Sequence, residues 1–596
     1  MLAEDFLAHV QQPARYVGSE FNMVRKDPTA VDLRVAMCYP DAYEVGMSHL
    51  GLQILYHCIN QRPDTYCERC FHPQTDASAL LRERGLPLWA LESGDPLSEF
   101  DVVGITLQYE LTFTGVLGLL DLGGIPLQSA DRGDADPIVL GGGPCALNPE
   151  PMAPFFDALV MGDGEEAIHE VLDALKPLVR EPRGRRLEAM AGIAGVYVPS
   201  LHDPERCRIA RRVLDDIEGS AYPTRPVMPF VEVVHDRAQV EVARGCTRGC
   251  RFCQAGMVYR PVRERSLQTA RRLAGEIVAS TGYDEVSLVS LNCPDYTHIG
   301  GLIDALHEDL ADKRVSVGLP SLRIDTFSVE LAQKVQRVRK SGLTFAPEAG
   351  SQRLRDAINK GVTEQDLLDT VQAAFAAGWH TIKLYFMIGL PTETDEDVLA
   401  IADLVRAVAK SGREALGKRA GRMKLHVSVS TLVPKAHTPL QWDGQISGEE
   451  IRRRQDLLRQ QIRDKQVAVS FHHAGQSVVE AALARGGRET AAAILSAYRQ
   501  APTLDAWSEN FDYRRWQVAF AEAGLCLEDE AQRRFSCDEP LPWAHIDTGV
   551  CGEFLLAERA AVESETPTPD CRFAPCSGCG VSELIGHPCR PEGESE

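Results

Sequence analysis

The sequence predicts an α/β protein: a doubly wound parallel sheet, then a partial barrel of six βα units, a small mainly helical domain and a cysteine-rich tail. Three observations predict it. Short apolar runs alternate with helical patterns in two separate series, as parallel sheets require. The runs are apolar throughout, as strands covered on both faces are. The 596 residues, 44% hydrophobic and 25% charged, can also fill several cores at about 100–200 residues per domain.

Taken in order, residues 1–30 form an amino-terminal segment. From 31 to 180, LRVAMCYP, DVVGITL, PIVLGGG and DALVMGDG alternate with helical patterns near 47–59, 114–122 and 165–175. Ligands on such sheets sit beyond the carboxyl ends of the strands. Residues 181–231, rich in Pro and charge, form a connector with one short strand, GVYVPS. Residues 232–475 carry the second series, with strands expected at 239–243, 285–291, 315–322, 343–346, 381–388 and 424–430. Residues 476–563 are mainly helical, with Trp507, Trp516 and Trp543 as packing anchors. Residues 564–596 hold few large apolar side chains and need a staple to fold.

Charge and composition remove several function classes. With 63 basic and 85 acidic residues the net charge is -22, which argues against a broad basic surface tracking nucleic acid. The first ten residues carry acids where an export signal needs a basic region and an apolar run. The most apolar stretch, 102–120, contains Gln108 and Glu110 and reads as a buried strand and helix rather than a membrane span. The expected location is the cytoplasm. Thiols stay reduced there, so clusters among the 17 cysteines read as metal or cluster ligands.

At the end of the first barrel strand the chain reads Arg244-Gly245-Cys246-Thr-Arg-Gly249-Cys250-Arg-Phe252-Cys253. Three thiolates within eight residues suit a four-iron four-sulfur cluster whose fourth iron stays open to an exogenous ligand. Gly245 and Gly249 permit the turns, and Arg244, Arg248 and Arg251 favour thiolate. Further along are Phe345-Ala-Pro-Glu348-Ala-Gly350-Ser351, then Leu354, Asn359, Lys360 and Gly361, and on the next strand Phe386-Met387-Ile-Gly389-Leu-Pro391-Thr-Glu393-Thr.

The triplet resembles the signature of the radical S-adenosylmethionine (SAM) enzymes, and the later segments resemble the E-x-G-S…L…N-K-G and G-L-P-x-E-T stretches of the methylthiotransferase and cobalamin-dependent branches. The whole chain is similar to an uncharacterised bacterial radical SAM family with an amino-terminal cobalamin-binding-like, Rossmann-like domain and a TIM-type barrel. The resemblance implies that Cys246, Cys250 and Cys253 bind a 4Fe-4S cluster and that SAM chelates the open iron. Phe252, Glu348, Ser351, Met387 and Gly389 would then face SAM, and a reductant such as flavodoxin or ferredoxin would supply electrons. The segment Ser290–Tyr296 departs from the glycine-rich stretch the family often has there. The cobalamin motif D-x-H-x-x-G has its counterpart in Asp41-Ala-Tyr43-Glu-Val-Gly46, with tyrosine for histidine. A phenol is a poor cobalt ligand at neutral pH. Gly141, Gly142 and Gly143, with Gly162 and Gly164, resemble the loops that seat a corrin; the domain either binds cobalamin or keeps its shape without it.

The tail places Cys571, Cys576, Cys579 and Cys589, with His587, within nineteen residues, a set suited to zinc or a second iron–sulfur cluster. Cys67 and Cys70 read as structural thiols. His472 and His473 end a short apolar strand, and the basic run from Arg452 reads as an ion-paired helix face. The expected activity is reductive cleavage of SAM to a 5′-deoxyadenosyl radical, with cobalamin-dependent methyl transfer to an unknown substrate. The alternatives are methylthiolation of RNA or protein, and a non-catalytic cluster protein of electron-transfer or regulatory type.

Overall fold

The computed structural model describes residues 4–319, 323–324 and 342–589. The chain forms two compact units. The first takes residues up to Asp236 with Ala482–Glu530 and Pro540–Thr548; the second takes Arg237–Ala481, Ala531–Glu539 and the residues from Gly549.

The first unit is a six-stranded sheet of β1 (Leu33–Tyr39), β2 (Thr65–Phe71), β3 (Val102–Thr106), β4 (Ile138–Gly142), β5 (Ala158–Val160) and β6 (Val196–Tyr197), in the order β2-β1-β3-β4-β5-β6. β1 to β5 run parallel and β6 is antiparallel at the edge. The doubly wound expectation therefore holds. Helices α1 (Leu50–Asn60), α2 (Phe113–Leu122) and α3 (Gly164–Leu175) connect the strands.

β2 was not anticipated as a strand, because Glu68 and Arg69 interrupt its apolar pattern. Both are buried and paired: Arg69 Nε lies 2.7 Å from Glu92 and Nη2 2.9 Å from Glu20, while Arg34 meets Glu68 at 2.7 Å. Buried charge is tolerated only with such partners. Cys67 and Cys70 sit within this strand, fully buried, as structural thiols do.

Residues 476–563, expected as one helical domain, are divided between the two units. The cause is burial against α2. Thr114 Oγ1 donates to Asp505 (2.8 Å), Tyr498 OH donates to Asp121 (2.6 Å), and a Cβ on Gly115 would lie 3.5 Å from Leu504. α2 is buried on every side except Asp121; Pro40 and His72 cover part of it and the later residues cover more.

Among the described residues the second unit carries seven parallel strands in two sheets. β7 (Ala238–Glu241), β8 (Glu285–Val289) and β9 (Ser316–Gly318) lie in the order β9-β8-β7; β10 (Leu343–Glu348), β11 (Thr381–Ile388), β12 (Lys424–Thr431) and β13 (Val467–Phe471) follow in sequence. All six expected strands are present, although 320–322 of the third lie outside the described residues. β13 adds a seventh. Helices α4 (Leu267–Thr281), α5 (Ile299–Leu310), α6 (Glu364–Ala376), α7 (Asp395–Leu416) and α8 (Gly448–Gln461) link them, and α9 (Gly552–Glu563) returns late in the chain. Ser266 and Ser447 cap α4 and α8, and Thr363 and Thr394 form capping boxes on α6 and α7, each cap worth about 1 kcal/mol. Among the described residues no helix is long and apolar enough to cross a membrane.

Candidate active site

The site begins where β7 ends. Ala243–Arg244 pairs antiparallel with Arg263–Glu264, and the chain then turns at Gly245, φ +92°, where a Cβ would lie 2.4 Å from Pro261 O and 2.5 Å from Tyr259 O. Only glycine passes there. Gly249 makes a second turn at φ +71°. Cys246, Cys250 and Cys253 stand on this loop, all half-buried.

Burial pushes the Cys253 thiol up to about 12, and Cys250 and Cys246 add to the rise. Cys246 is raised by burial too, with Cys250 again adding. The three sulfurs thus lie within electrostatic reach of one another. Arg323 Nη1 stands 4.0 Å from Cys250 Sγ. Burial works against the Lys360 ammonium, but Glu348 and Cys250 outweigh it and hold the group above its usual value. Mutual repulsion among thiolates is what bound iron relieves. This donor set, with cations at its edge, fits a cluster held by three cysteines. Among the described residues no group of three or more His, Cys, Asp or Glu side chains is gathered closely enough to hold a metal ion; the structure supplies the loop and its donors.

A small open pocket lies beside Cys246, lined by Gly245, Glu264, Asn292, Asp295, Tyr296 and Arg572 among others. Asp295, from the unusual segment after β8, accepts from Arg248 Nε at 2.6 Å and pairs with Arg572 at 2.5 Å.

β10 ends in Glu348, whose backbone is left-handed at φ +67°. A non-glycine residue held there costs on the order of 1–3 kcal/mol and marks functional sites more often than others. Its carboxylate meets Lys360 Nζ at 3.2 Å. Phe252, from the cysteine loop, and Met387, from β11, come together against one apolar cluster that includes Ala349, Leu354, Leu390 and Leu432. Gly389 follows at φ +83°, its N–H donating to Glu393 at 2.6 Å. Glu393 is raised to about 7 by burial, with Arg454 and the Gly389 N–H opposing. Ser351 is spent inside the protein: its hydroxyl accepts from Leu354 N (3.3 Å) and donates to Asp397 (2.5 Å).

Sequence reasoning missed the open face of β11 to β13. Ile382, Leu384, Phe386, Leu425, Val427 and Val429 are buried, whereas Lys383, Tyr385, His426, Ser428, Ala468 and Ser470 are half-buried or exposed. Lys383 Nζ stands 4.5 Å from the Tyr385 ring centroid. The period-two alternation of small and polar residues in KLHVSVST was the available signal. His472 and His473, by contrast, serve local turns: His472 Nδ1 is 2.7 Å from Ser477 Oγ, and His473 Nδ1 accepts from Gln476 N at 3.3 Å. Arg453 and Arg454 are ion-paired, with Asp395, Glu450 and Glu393.

The carboxyl-terminal residues brace the cysteine loop. Arg251 is fully buried and donates to Glu558 (2.8 Å), Ala357 O (2.7 Å) and Thr566 O (2.7 Å). Asn359, itself at φ +54°, gives its amide N–H groups to Arg248 O, Gly249 O and Thr568 O at 3.1–3.3 Å. Asp570 takes Arg248 and Arg572 at 3.4 and 3.3 Å.

In the first unit, the corrin-motif positions are engaged by the protein itself. Asp41 accepts from Trp507 Nε1 at 2.6 Å. Tyr43 is buried, donates to Glu20 at 3.0 Å and sits edge-on to Phe71; burial raises its phenol. A Cβ on Gly46 would strike Phe71, one on Gly143 would strike Leu107 O, and one on Gly162 would lie 2.1 Å from Arg212 O. Gly141 faces Phe156 and Gly164 faces Leu55, while Gly142 has only Val160 O within 4 Å. These glycines pack against protein, and Tyr43 is turned into the core on Glu20, so Tyr43 is not placed as a lower axial ligand.

Comparison with known proteins gives two family matches: "Radical SAM proteins, N-terminal" over residues 51–199 and "Radical SAM superfamily" over residues 240–405. An uncharacterised protein of Methanocaldococcus jannaschii is 28% identical, over 76% of this chain and 88% of that protein. An uncharacterised methyltransferase of Pyrococcus horikoshii is 27% identical over 44% of this chain and 56% of its own length. The tRNA-2-methylthio-N(6)-dimethylallyladenosine synthase of Pelotomaculum thermopropionicum is 28% identical over 33% of this chain and 46% of its own length. Among solved structures, the radical S-adenosylmethionine methyltransferase TsrM of Kitasatospora setae, with cobalamin and a [4Fe-4S] cluster bound, is 16% identical over 66% of this chain and 74% of that one, with a TM-score of 0.45.

Proposed function

We propose, from the premise that this chain is an enzyme of the radical SAM superfamily, that it cleaves SAM reductively and uses the resulting 5′-deoxyadenosyl radical to take hydrogen from an unactivated carbon. One observation carries the reading: a loop turned by two glycines presents Cys246, Cys250 and Cys253 together at the carboxyl end of β7, with Lys360 and Arg323 beside them.

When bound, a 4Fe-4S cluster on these thiolates supplies the single electron that splits a carbon–sulfur bond of SAM into methionine and the carbon radical. The chain's own residues bind and orient. Glu348, paired with Lys360, offers a fixed carboxylate to the cationic end of SAM. Phe252 and Met387 give an apolar wall, and Gly389 brings backbone close to the adenine. Ser351 acts from behind by fixing Asp397 and the helix start. Lys383, Tyr385 and His426 on the open face of β11 and β12 are the groups available to hold a substrate.

The test is anaerobic reconstitution with iron and sulfide, followed by a strong reductant and SAM. The wild-type chain is expected to release 5′-deoxyadenosine, and Cys246→Ala to release none; equal yields would sink the cluster assignment. Methylthiolation is the second reading, favoured by the Glu348–Ser351 and Gly389–Thr394 segments and by the likeness to the tRNA-modifying synthase. The charge of -22 weighs against a broad RNA surface and so toward a small molecule or protein substrate. Comparing modified nucleosides, proteins and metabolites in cells with and without the gene decides between them. A non-catalytic cluster protein would leave all three unchanged.

A further inference from the structure

We propose, resting on the SAM reading above, that the substrate is a small acid whose carboxylate or phosphate is held by Lys383, Lys424 and His426 on the open face of β11 and β12. Strand register ties this end of the face to the SAM wall. Lys383 stands opposite His426, Tyr385 opposite Ser428 and Met387 opposite Ser430, while Ala468 and Ser470 adjoin His426 and Ser428. Side chains two residues apart share a face. Lys383, Tyr385 and Met387 therefore line one side of β11, and Ile382, Leu384 and Phe386 take the buried side. From Lys383 to Met387 is four residues of parallel strand, about 13 Å at about 3.3 Å each. A molecule of modest size spans that distance, with its acid at Lys383 and its reacting carbon near Met387.

The face is built to leave room. Inward positions of a parallel barrel are ordinarily filled by bulky branched side chains. Here they are Ser428, Ser430, Ala468 and Ser470, and Tyr385 among them is 37% exposed. The ring offers a flat wall, and the hydroxyls offer hydrogen bonds along the way.

The charge at its lower end is one-sided. Lys383 Nζ stands 4.5 Å from the Tyr385 ring centroid, and Lys424 lies exposed two residues before His426 on the same side of β12. Among the described residues no ion pair takes up either ammonium. Neighbouring carboxylates are already taken: Glu348 by Lys360 at 3.2 Å, Glu241 of β7 by Arg244 at 2.9 Å, and Asp464 by Arg413. Like charges on diagonal positions of adjacent strands repel; an anion between them turns that repulsion into two charge-assisted contacts. His426, exposed and opposite Lys383, adds a ring N–H. Lys418, Arg419 and Arg422, all exposed on the turn into β12, extend the positive field outward. In a chain of net charge -22 this patch is a local exception confined to one strand end, which fits a small acid better than the long backbone of RNA.

The test uses the purified full chain without SAM, iron or reductant, so its failure is distinct from failure of the 5′-deoxyadenosine assay. Pyridoxal 5′-phosphate, an anionic aldehyde, forms imines with lysines; borohydride fixes them, and peptide mapping reads the labelling of each lysine against reagent concentration. Lys383 is half-buried, whereas Lys313 and Lys410 are exposed, so access alone would label the latter first. With the reagent's phosphate on Lys424 and His426, Lys383 is instead expected to label saturably at about tenfold lower concentration, as a charge-assisted contact gives. The advantage should vanish with pyridoxal, which lacks the phosphate, and shrink in Lys424→Ala and His426→Ala. Protection of Lys383 by inorganic phosphate, by malonate or by both supports the site and identifies the acid it takes. Labelling of Lys383 no earlier than Lys313 and Lys410, an equal advantage with pyridoxal, or protection by polyuridylic acid alone would each overturn it, the last in favour of RNA.

Discussion

Gly245 shows how much one missing methyl can matter. Its left-handed φ and the two carbonyl oxygens at 2.4 and 2.5 Å from a would-be Cβ leave an alanine no room. Gly245→Ala is expected to cost about 2–4 kcal/mol, from strain and overpacking together, and to lower bound iron after reconstitution. Gly275 in α4 has nothing within 4 Å of its would-be Cβ, so Gly275→Ala should gain up to about 1 kcal/mol. Chemical denaturation of the pair reads both signs; a harmless Gly245→Ala would mean the loop is not held as described. Glu348 is the complementary case. Its backbone holds φ +67°, a conformation glycine would take without strain, and its carboxylate pairs with Lys360.

At the scale of elements, the turn after β11 is governed by one buried carboxyl. Glu393 faces the Gly389 N–H, Arg454 from α8 and Asp397 from α7, and burial raises it from 4.5 to about 7. Between those values the folded chain holds a proton that the unfolded chain lacks. Stability therefore falls as pH rises from about 4.5 through about 7, by about 3 kcal/mol, and then levels off. Glu393→Gln, whose amide oxygen can still accept from Gly389, should flatten that stretch of the stability–pH curve in urea titrations; an unchanged slope would assign it to another group. The strands were legible because period-two and all-apolar runs survive in the sequence: Thr381–Ile388 coincides with its expectation, and the others end within a few residues. β2 was hidden by Glu68 and Arg69, whose partners Glu20, Glu92 and Arg34 are distant in sequence. The cysteine triplet was legible from spacing alone. Its brace was not, since an arginine bonded to carbonyls 100 to 300 residues away leaves no local pattern.

For the molecule as a whole, the brace implies that the three cysteines are not sufficient by themselves. A chain ending at residue 563 keeps Cys246, Cys250, Cys253 and Glu558 but loses Thr566, Thr568, Asp570 and Arg572, leaving Arg251, Arg248 and Asp295 short of partners. Each hydrogen bond lost costs about 1 kcal/mol, enough together to loosen the loop. Such a chain should fold, by circular dichroism, yet retain less iron after desalting than the full-length chain. Full retention would show the brace to be dispensable.

The way the chain is shared between its two units has a consequence for synthesis. A ribosome that has released residues up to Asp236 has made the whole sheet β1 to β6, but Asp41 still awaits the indole of Trp507, Thr114 awaits Asp505 and Asp121 awaits Tyr498. The nascent sheet must wait, with part of α2 uncovered, while more than 250 further residues emerge. A gene fragment cut at that apparent border would make this interval permanent, so residues 1–236 alone are a poor choice for expression, and a helper that shields α2 during translation is expected to raise the yield of the intact chain.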